Sequence, residues 1–213
     1  MYDLLKIKWA EHTNHYAADA ALAAKFLGEL ERKYAVAGRH YHTLQHIHDM
    51  LQLSHQYGEH LRDPAVVDFA IFYHDVIYNV WRRDNEERSA ALATTRLAAL
   101  GMPDEKVQLV KLMIEASHTH QLPPGADTDP DAQFFLDFDL SILGAEWATY
   151  FIYSSQVRKE YQIYPDMLYK AGRRKFLQNF LEAPAIFHSP VFREHFEPRA
   201  RQNMEKELQF LAS

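Results

Sequence analysis

The chain of 213 residues contains no cysteine, only 7 glycines and no apolar run long enough to form a membrane helix. The absence of cysteine excludes a disulfide scaffold, a thiolate zinc site and a cysteine nucleophile. A membrane span needs roughly 18 consecutive apolar residues, and the N-terminus lacks the basic-then-apolar layout of a secretory signal. The sequence therefore predicts a cytoplasmic protein without a membrane partner.

The chain also lacks a strong excess of charge of either sign. Its 23 basic and 29 acidic side chains give a net charge of −6, and no long basic run is present. This balance argues against nucleic acid as the main partner, although a local basic patch stays open. Hydrophobic residues make up 47% and charged residues 24%, as in ordinary globular proteins, and the length suits one domain over residues 1–213.

Strand signals are missing, since the sequence has neither long polar–apolar alternation nor Asn-Gly or Asp-Gly hairpin turns. Helix starts are frequent instead: Thr43, Asp63-Pro64 and Ser189-Pro190 are N-cap signals, and Asp84 with Glu87 resembles a capping box. The sequence predicts a single all-α domain. The expected helices cover about 13–34, 43–57, 63–78, 84–100, 103–117, 128–143, 145–163, 165–182 and 190–211, with the clearest loop at 119–127.

The segment 64–80 carries the first candidate site. Its apolar residues cover nearly every direction around a helix, which predicts a buried central helix, yet it contains the adjacent pair His74 and Asp75. A carboxylate in such surroundings is unstable without a compensating positive group. Two interpretations stay open: the pair contacts each other or reaches solvent at a helix end, or both side chains bind a cation.

The 13 histidines are unusually many, and five of them lie in residues 40–55. His42 and His46 are four residues apart and share a helix face, but His48 borders the same apolar stripe, so periodicity does not choose between His46 and His48. Three further features are His118 with His120 after a helix, Glu86 in a first helical turn, and Asp137 with Asp139 in an apolar helix. Each also has an ordinary structural interpretation, such as capping or a favourable helix-dipole contact.

Asp137 and Asp139 cannot both face one cleft, because two residues on a helix correspond to about 200° of rotation. Asp139 shares its face with apolar residues such as Leu143, whereas Asp137 neighbours Gln133 and Ser141. If the more apolar face points inward, Asp139 is the buried carboxylate that needs a cation.

A family resemblance joins these features. The order His46, His74-Asp75 and Asp139 on separate helices resembles the HD superfamily of metal-dependent phosphohydrolases. The likeness departs at Phe138, where a small residue is expected. It implies a single HD-domain-like helical bundle. In detail, the chain resembles a bacterial group of predicted HD-domain metal-dependent phosphohydrolases through RHYHTLQHI, FYHDVIYN, DNEERSA, LDFDLSILG, VRKEY, AGRRKFLQNFL and ARQNMEKEL.

The resemblance makes His46, His74, Asp75 and Asp139 the metal ligands. Two imidazoles and two carboxylates leave coordination positions open, and they suit Mn, Fe, Co, Ni or Zn, with one or two ions per chain. Such an ion lowers the pKa of a bound water and polarises a phosphoryl oxygen. The expected reaction is hydrolysis of a phosphomonoester or phosphodiester bond in a small phosphorylated metabolite or nucleotide.

Further residues are expected to assist this reaction. Besides Asp75, the candidate catalytic residues are His42, Glu86 and His118, which are also candidates for a second metal site together with His120. Arginine side chains match the geometry of phosphate oxygens. The candidates for substrate binding are therefore Arg158 and Arg173, with Arg174 beside them.

Two other functions stay open at this point. Some HD-fold enzymes with a similar ligand frame hold two irons and activate dioxygen, and His118 and His120 are available for such a site. A degenerate HD domain acting as a regulatory binding module is the other alternative. The sequence leaves the native metal and substrate undetermined, and a homodimer is one oligomeric state to test.

Overall fold

A computed structural model describes residues 3–16, 18–122, 125–126 and 128–212. The described residues form helices and no strand, which confirms the predicted all-α class. Part of the predicted loop at 119–127 lies outside the described residues. The helices are α1 (Asp3–His15), α2 (Ala20–Tyr34), α3 (Leu44–Gln56), α4 (Pro64–Tyr73), α5 (Asn85–Ala99), α6 (Asp104–Ala116), α7 (Pro130–Leu140), α8 (Trp147–Glu160), α9 (Asp166–Glu182), α10 (Pro190–His195) and α11 (Glu197–Ala212).

Most of the predicted helix starts are found where local sequence placed them. The Thr43 side chain accepts a hydrogen bond from the Gln45 amide at 3.3 Å, and Asp63 accepts from the amides of Ala65 and Val66. Asp84 differs, because it stands at the N-cap of α5 without a side-chain capping bond and pairs with Arg82 and Arg88 instead. The caps at Thr43 and Asp63 satisfy backbone amides that have no hydrogen-bond partner inside the helix.

The chain forms two compact units, Met1–Phe138 and Asp139–Ser213. The prediction of a single domain over residues 1–213 stays a prediction. In the first unit α4 is the core, since every residue from Val66 to Tyr73 is buried. Helices α3, α5 and α6 pack against α4, while α1 packs on α2 and α3. This packing follows from the apolar residues that surround α4 on all sides.

In the second unit α11 packs against α9, α10 and the helical turn at Ser141–Gly144. The Asn203 side-chain amide donates to the carbonyls of Leu143 at 2.9 Å and Ala145 at 2.8 Å, which holds this turn on α11. A Cβ at Gly144 would lie 2.8 Å from the Phe196 backbone oxygen, so only glycine fits this approach.

Three predicted helices end or divide differently. The expected helix 13–34 divides between α1 and α2, where Asp19 caps α2 by accepting from the Leu22 amide at 2.8 Å. The expected helix 190–211 divides between α10 and α11 at Phe196. The expected helix 63–78 ends at Tyr73, so that His74 and Asp75 lie just beyond α4 rather than inside it.

The early end of α4 has a tertiary cause. The amides of Ile77 and Asn79 donate to the side chains of Ser89 at 3.0 Å and Asn85 at 3.1 Å, both on α5. Hydrogen bonds that would continue α4 are therefore made to another helix. None of the described helices combines the length and the apolarity that crossing a bilayer requires.

Candidate metal centre

Three of the predicted metal ligands meet in the first unit. His46 lies in the first turn of α3 and is 4% exposed, His74 caps the end of α4 and is 1% exposed, and Asp75 follows it half-buried. One ligand atom from each residue lies within 4.8 Å of the other two, and the group is suited to hold a metal ion. The choice between His46 and His48 is thereby made by tertiary structure, which brings His46 to the pair at the end of α4.

The distances between these atoms are short. His46 Nε2 lies 3.2 Å from His74 Nε2, and His74 Nε2 lies 3.1 Å from Asp75 Oδ2. The third distance, from His46 Nε2 to Asp75 Oδ2, is 4.0 Å. Ligands that bind one ion at about 2.0–2.2 Å lie roughly 3 to 3.5 Å apart. Two of the three distances match that spacing, and the third is longer.

The backbone orients the His74 ring. Its Nδ1 lies 2.9 Å from the carbonyl oxygen of Ile71. A carbonyl oxygen only accepts, so Nδ1 carries a proton, and Nε2 is the ring atom that can bind an ion when the ring is neutral. Metal-binding histidines are commonly oriented in this way by a carbonyl behind the ring. Nε2 of His74 therefore points toward His46 and Asp75.

His42 lies at the edge of this group. Its Nε2 is 3.9 Å from Asp75 Oδ2, and its ring stacks on Tyr78 with centroids 4.4 Å apart. His42 therefore lies beside Asp75 but beyond direct hydrogen-bond distance in this pair of atoms, and its ring is held from the other side by an aromatic contact.

Arg39 organises the backbone of the site, and sequence reasoning missed it. Its Nη1 donates to the carbonyls of Asp75 at 2.8 Å and His42 at 2.9 Å, and its Nη2 donates to the Val76 carbonyl at 3.2 Å. One guanidinium therefore joins the segment that carries His42 to the segment that carries Asp75. The available signal was its position as the first residue of RHYHTLQHI.

Two tyrosines enclose the Arg39 guanidinium. The Tyr34 ring centroid lies 4.9 Å from it and the Tyr78 centroid 5.2 Å. Tyr34 also donates its hydroxyl to the Phe72 carbonyl at 3.0 Å. Burial, and after it the negative charge of Asp75, raise the pKa of Tyr34 well above its ordinary value. Tyr34 is therefore a neutral hydrogen-bond donor beside Asp75. It also supports the Arg39 guanidinium, and sequence reasoning missed this role as well.

The expectation that Asp139 is the more buried aspartate of α7 is wrong. Asp137 is 0% exposed, whereas Asp139 is only half-buried. The reason is that α7 has no single inward face: Phe134, Leu136 and Phe138 are all buried. Comparing two faces of such a helix does not rank their burial. Asp139 begins the second unit, and its role as the fourth ligand stays a prediction.

The fold places Glu86 and His118 in contact with each other. His118 Nδ1 lies 3.1 Å from Glu86 Oε2, and the two residues stand in the first turn of α5 and just after α6. The His118 side chain is 53% exposed. The pair is therefore an accessible contact between α5 and the segment after α6, and its catalytic role stays a prediction.

The predicted phosphate-binding arginines have protein partners in the second unit. Arg158 contacts Asp166 at 2.5 Å and the carbonyls of Tyr161 and Tyr164. Arg173 is 6% exposed and donates to Glu207 at 2.8 and 3.0 Å. These contacts fold both side chains against their own unit, and binding of substrate by either one stays a prediction.

Comparisons with known proteins add no identification. No protein-family model, no curated protein and no solved structure matches the chain. The resemblance to the HD superfamily consequently stays a prediction, and the function is argued from the geometry around His74.

Proposed function

We propose that the protein is an HD-type, metal-dependent phosphohydrolase that cleaves a phosphomonoester or phosphodiester bond in a small phosphorylated metabolite or nucleotide. One observation carries the proposal: His46 Nε2, His74 Nε2 and Asp75 Oδ2 converge within 4.8 Å, next to one another at the end of a buried helix. Two nitrogens and one carboxylate oxygen match the donors that divalent transition metals prefer.

Each side chain has a distinct part in this proposal. His46 and His74 would hold the cation through Nε2, and Asp75 through Oδ2 while its negative charge is neutralised. When bound, a divalent cation supplies a water molecule of lowered pKa and a Lewis acid for a phosphoryl oxygen. Three protein ligands leave positions open for water and substrate, as catalytic sites require.

His42 would move protons at the edge of the site. Its Nε2 lies 3.9 Å from Asp75 Oδ2, and the stacked Tyr78 ring fixes its orientation. A histidine titrates near neutral pH, so its Nε2 can take a proton and return it to a leaving oxygen. Glu86 with His118 would assist from the exposed side, whereas the proposal does not depend on Arg158 or Arg173.

The test is a screen of phosphorylated metabolites with protein that has been freed of metal and reloaded with Mn, Co or Ni. We expect phosphate release only in the loaded samples and its loss on chelation. Full activity in metal-free protein contradicts the proposal. Two irons per chain as isolated would favour the oxygenase instead, and binding of metal without turnover of any compound would favour the regulatory module.

The fourth ligand is tested separately in two matched variants. We expect Asp139→Ala to remove most of the bound metal and Asp137→Ala to leave the metal content unchanged, measured by elemental analysis of purified protein. Loss of metal in Asp137→Ala with retention in Asp139→Ala would contradict this prediction and make Asp137 the ligand. Because Asp137 is completely buried, the unfolding midpoint of both variants is measured alongside.

A further inference from the structure

Helices α2 and α5 form a second feature, a cleft of about 490 Å³ in the first unit. This volume falls within the range of about 300–1,000 Å³ that is typical of small-molecule sites. None of the residues that line it belongs to the candidate metal centre. They are Lys25, Glu29, Arg32, Lys33, Val36 and Arg96.

The cleft is strongly positive in a protein whose net charge is negative. Four of its side chains are cationic and one is anionic, and that one, Glu29, accepts two hydrogen bonds from Arg96 at 2.9 and 3.2 Å. In the part of the chain that the structure describes, Lys25, Arg32 and Lys33 form no ion pair. The Arg96 hydrogen bonds, and after them the charges of Lys33 and Arg32, lower the pKa of Glu29. Three cations thus face one cleft without a carboxylate partner.

Gly28 gives one of these cations its position. It lies inside α2, where glycine is less favourable than alanine. A Cβ added at this position would lie 3.3 Å from Arg32 Nη1, which is a tight contact. The missing side chain therefore leaves room for the guanidinium to approach the backbone of α2 at Gly28.

We propose that the α2–α5 cleft is a binding site for a small phosphate-bearing anion, separate from the metal centre. Arg32 supplies a fork of donors that matches phosphate oxygens, and Lys25 and Lys33 supply point charges.

The test uses inorganic pyrophosphate, titrated calorimetrically into the full chain in the presence of EDTA so that no metal-bound anion contributes. We expect saturable binding that weakens as salt is added. The double variant Arg32→Ala/Lys33→Ala should raise the dissociation constant at least tenfold. The matched control Lys159→Ala/Lys175→Ala removes the same charge from exposed positions on α8 and α9 and should change the dissociation constant less than twofold.

A single variant separates the cleft from the metal centre. Asp75→Asn should bind pyrophosphate as the natural chain does. The proposal is overturned if the natural chain does not bind, if the cleft variant binds equally well, or if Asp75→Asn is the variant that loses binding.

Discussion

Two aspartates seven residues apart, one inside the core helix α4 and one just after it, have opposite surroundings. Asp68, in the middle of α4, is 0% exposed and surrounded by donors: His12 Nε2 at 2.6 Å, the Ser54 hydroxyl at 2.5 Å and Lys8 Nζ at 3.4 Å. Asp75, just beyond the helix, is half-buried and faces the Nε2 atoms of the two cluster histidines.

The difference shows which of the two carboxylates faces nitrogen atoms that could share a cation with it. Asp68 obtains its compensating charge from Lys8 and its hydrogen bonds from His12 and Ser54, so nothing further is required. Asp75 Oδ2 lies 3.1 Å from Nε2 of His74, and either a proton on Nε2 or a cation bound by both atoms makes this contact favourable.

The largest expected effect comes from removing the charge of Asp75. In Asp75→Asn we expect the metal affinity to fall by more than the roughly 10–100-fold that loss of an outer-shell partner causes, and phosphate release to fall with it. The unfolding free energy of the metal-free protein should change less than in Asp68→Asn, since Asp75 is half-buried whereas Asp68 is completely buried. Calorimetric metal titration and urea unfolding measure both quantities. A variant that binds metal normally would show that Asp75 resembles Asp68 after all.

The same chemical change at Asp68 should have the reverse pattern. Asp68→Asn leaves Lys8 and His12 without their carboxylate, and breaking a buried pair of this kind costs about 3 kcal/mol of unfolding free energy. The stoichiometry of bound metal in the folded protein should not change. Urea unfolding at neutral pH measures the loss, with Asp75→Asn as the matched control. Equal stability of the two variants would remove the distinction between the two carboxylates.

Metal binding should stabilise the natural chain and Asp68→Asn, but not Asp75→Asn. An ion that binds only the folded state, at 100 times its dissociation constant, adds roughly 2.7 kcal/mol. The measurement is the unfolding midpoint with and without saturating Mn or Co in all three proteins. An increase of the same size in Asp75→Asn would place the stabilising ion elsewhere.

The contrast between the two aspartates also shows which features can be predicted from the sequence. The helix starts at Thr43 and Asp63 were predictable because their capping bonds span two or three residues. The compensation of Asp68 was not, since its partners on α1 and α3 lie 14 to 60 residues away in the chain. The end of α4 was missed for the same reason, because side chains on α5 take the amides of Ile77 and Asn79.

The candidate ligands could be predicted from the sequence, but the residues that hold them in place could not. His46, His74 and Asp75 were named from the sequence, and the structure brings them together. The relative burial of Asp137 and Asp139 was predicted wrongly, because a helix that is apolar all round has no preferred inward face. Arg39 was missed because its three carbonyl acceptors are visible only when two distant segments meet.

The smallest expected effect concerns Arg39. It tests how the backbone around Asp75, unlike that around Asp68, contributes to metal binding. Since the Arg39 hydrogen bonds reach the backbone carbonyls of Asp75, Val76 and His42, its loss should not remove a ligand but should let the ligand-bearing segment move. We expect Arg39→Ala to weaken metal binding about tenfold, the lower end for outer-shell partners. Arg88→Ala, which removes an equal charge from an exposed position on α5, is the matched control and should leave the affinity unchanged.

Arg39→Lys separates the geometry of the guanidinium from its charge. A lysine keeps the positive charge but offers a single ammonium in place of the planar fork that reaches three carbonyls between Tyr34 and Tyr78. If positioning is what Arg39 contributes, Arg39→Lys should bind metal almost as weakly as Arg39→Ala, and the visible absorption spectrum of bound Co should change in both variants. If the positive charge beside Asp75 is what matters, lysine should restore both the affinity and the spectrum. Affinity and spectrum unchanged in both variants would show that the three carbonyl contacts have no bearing on the metal ligands.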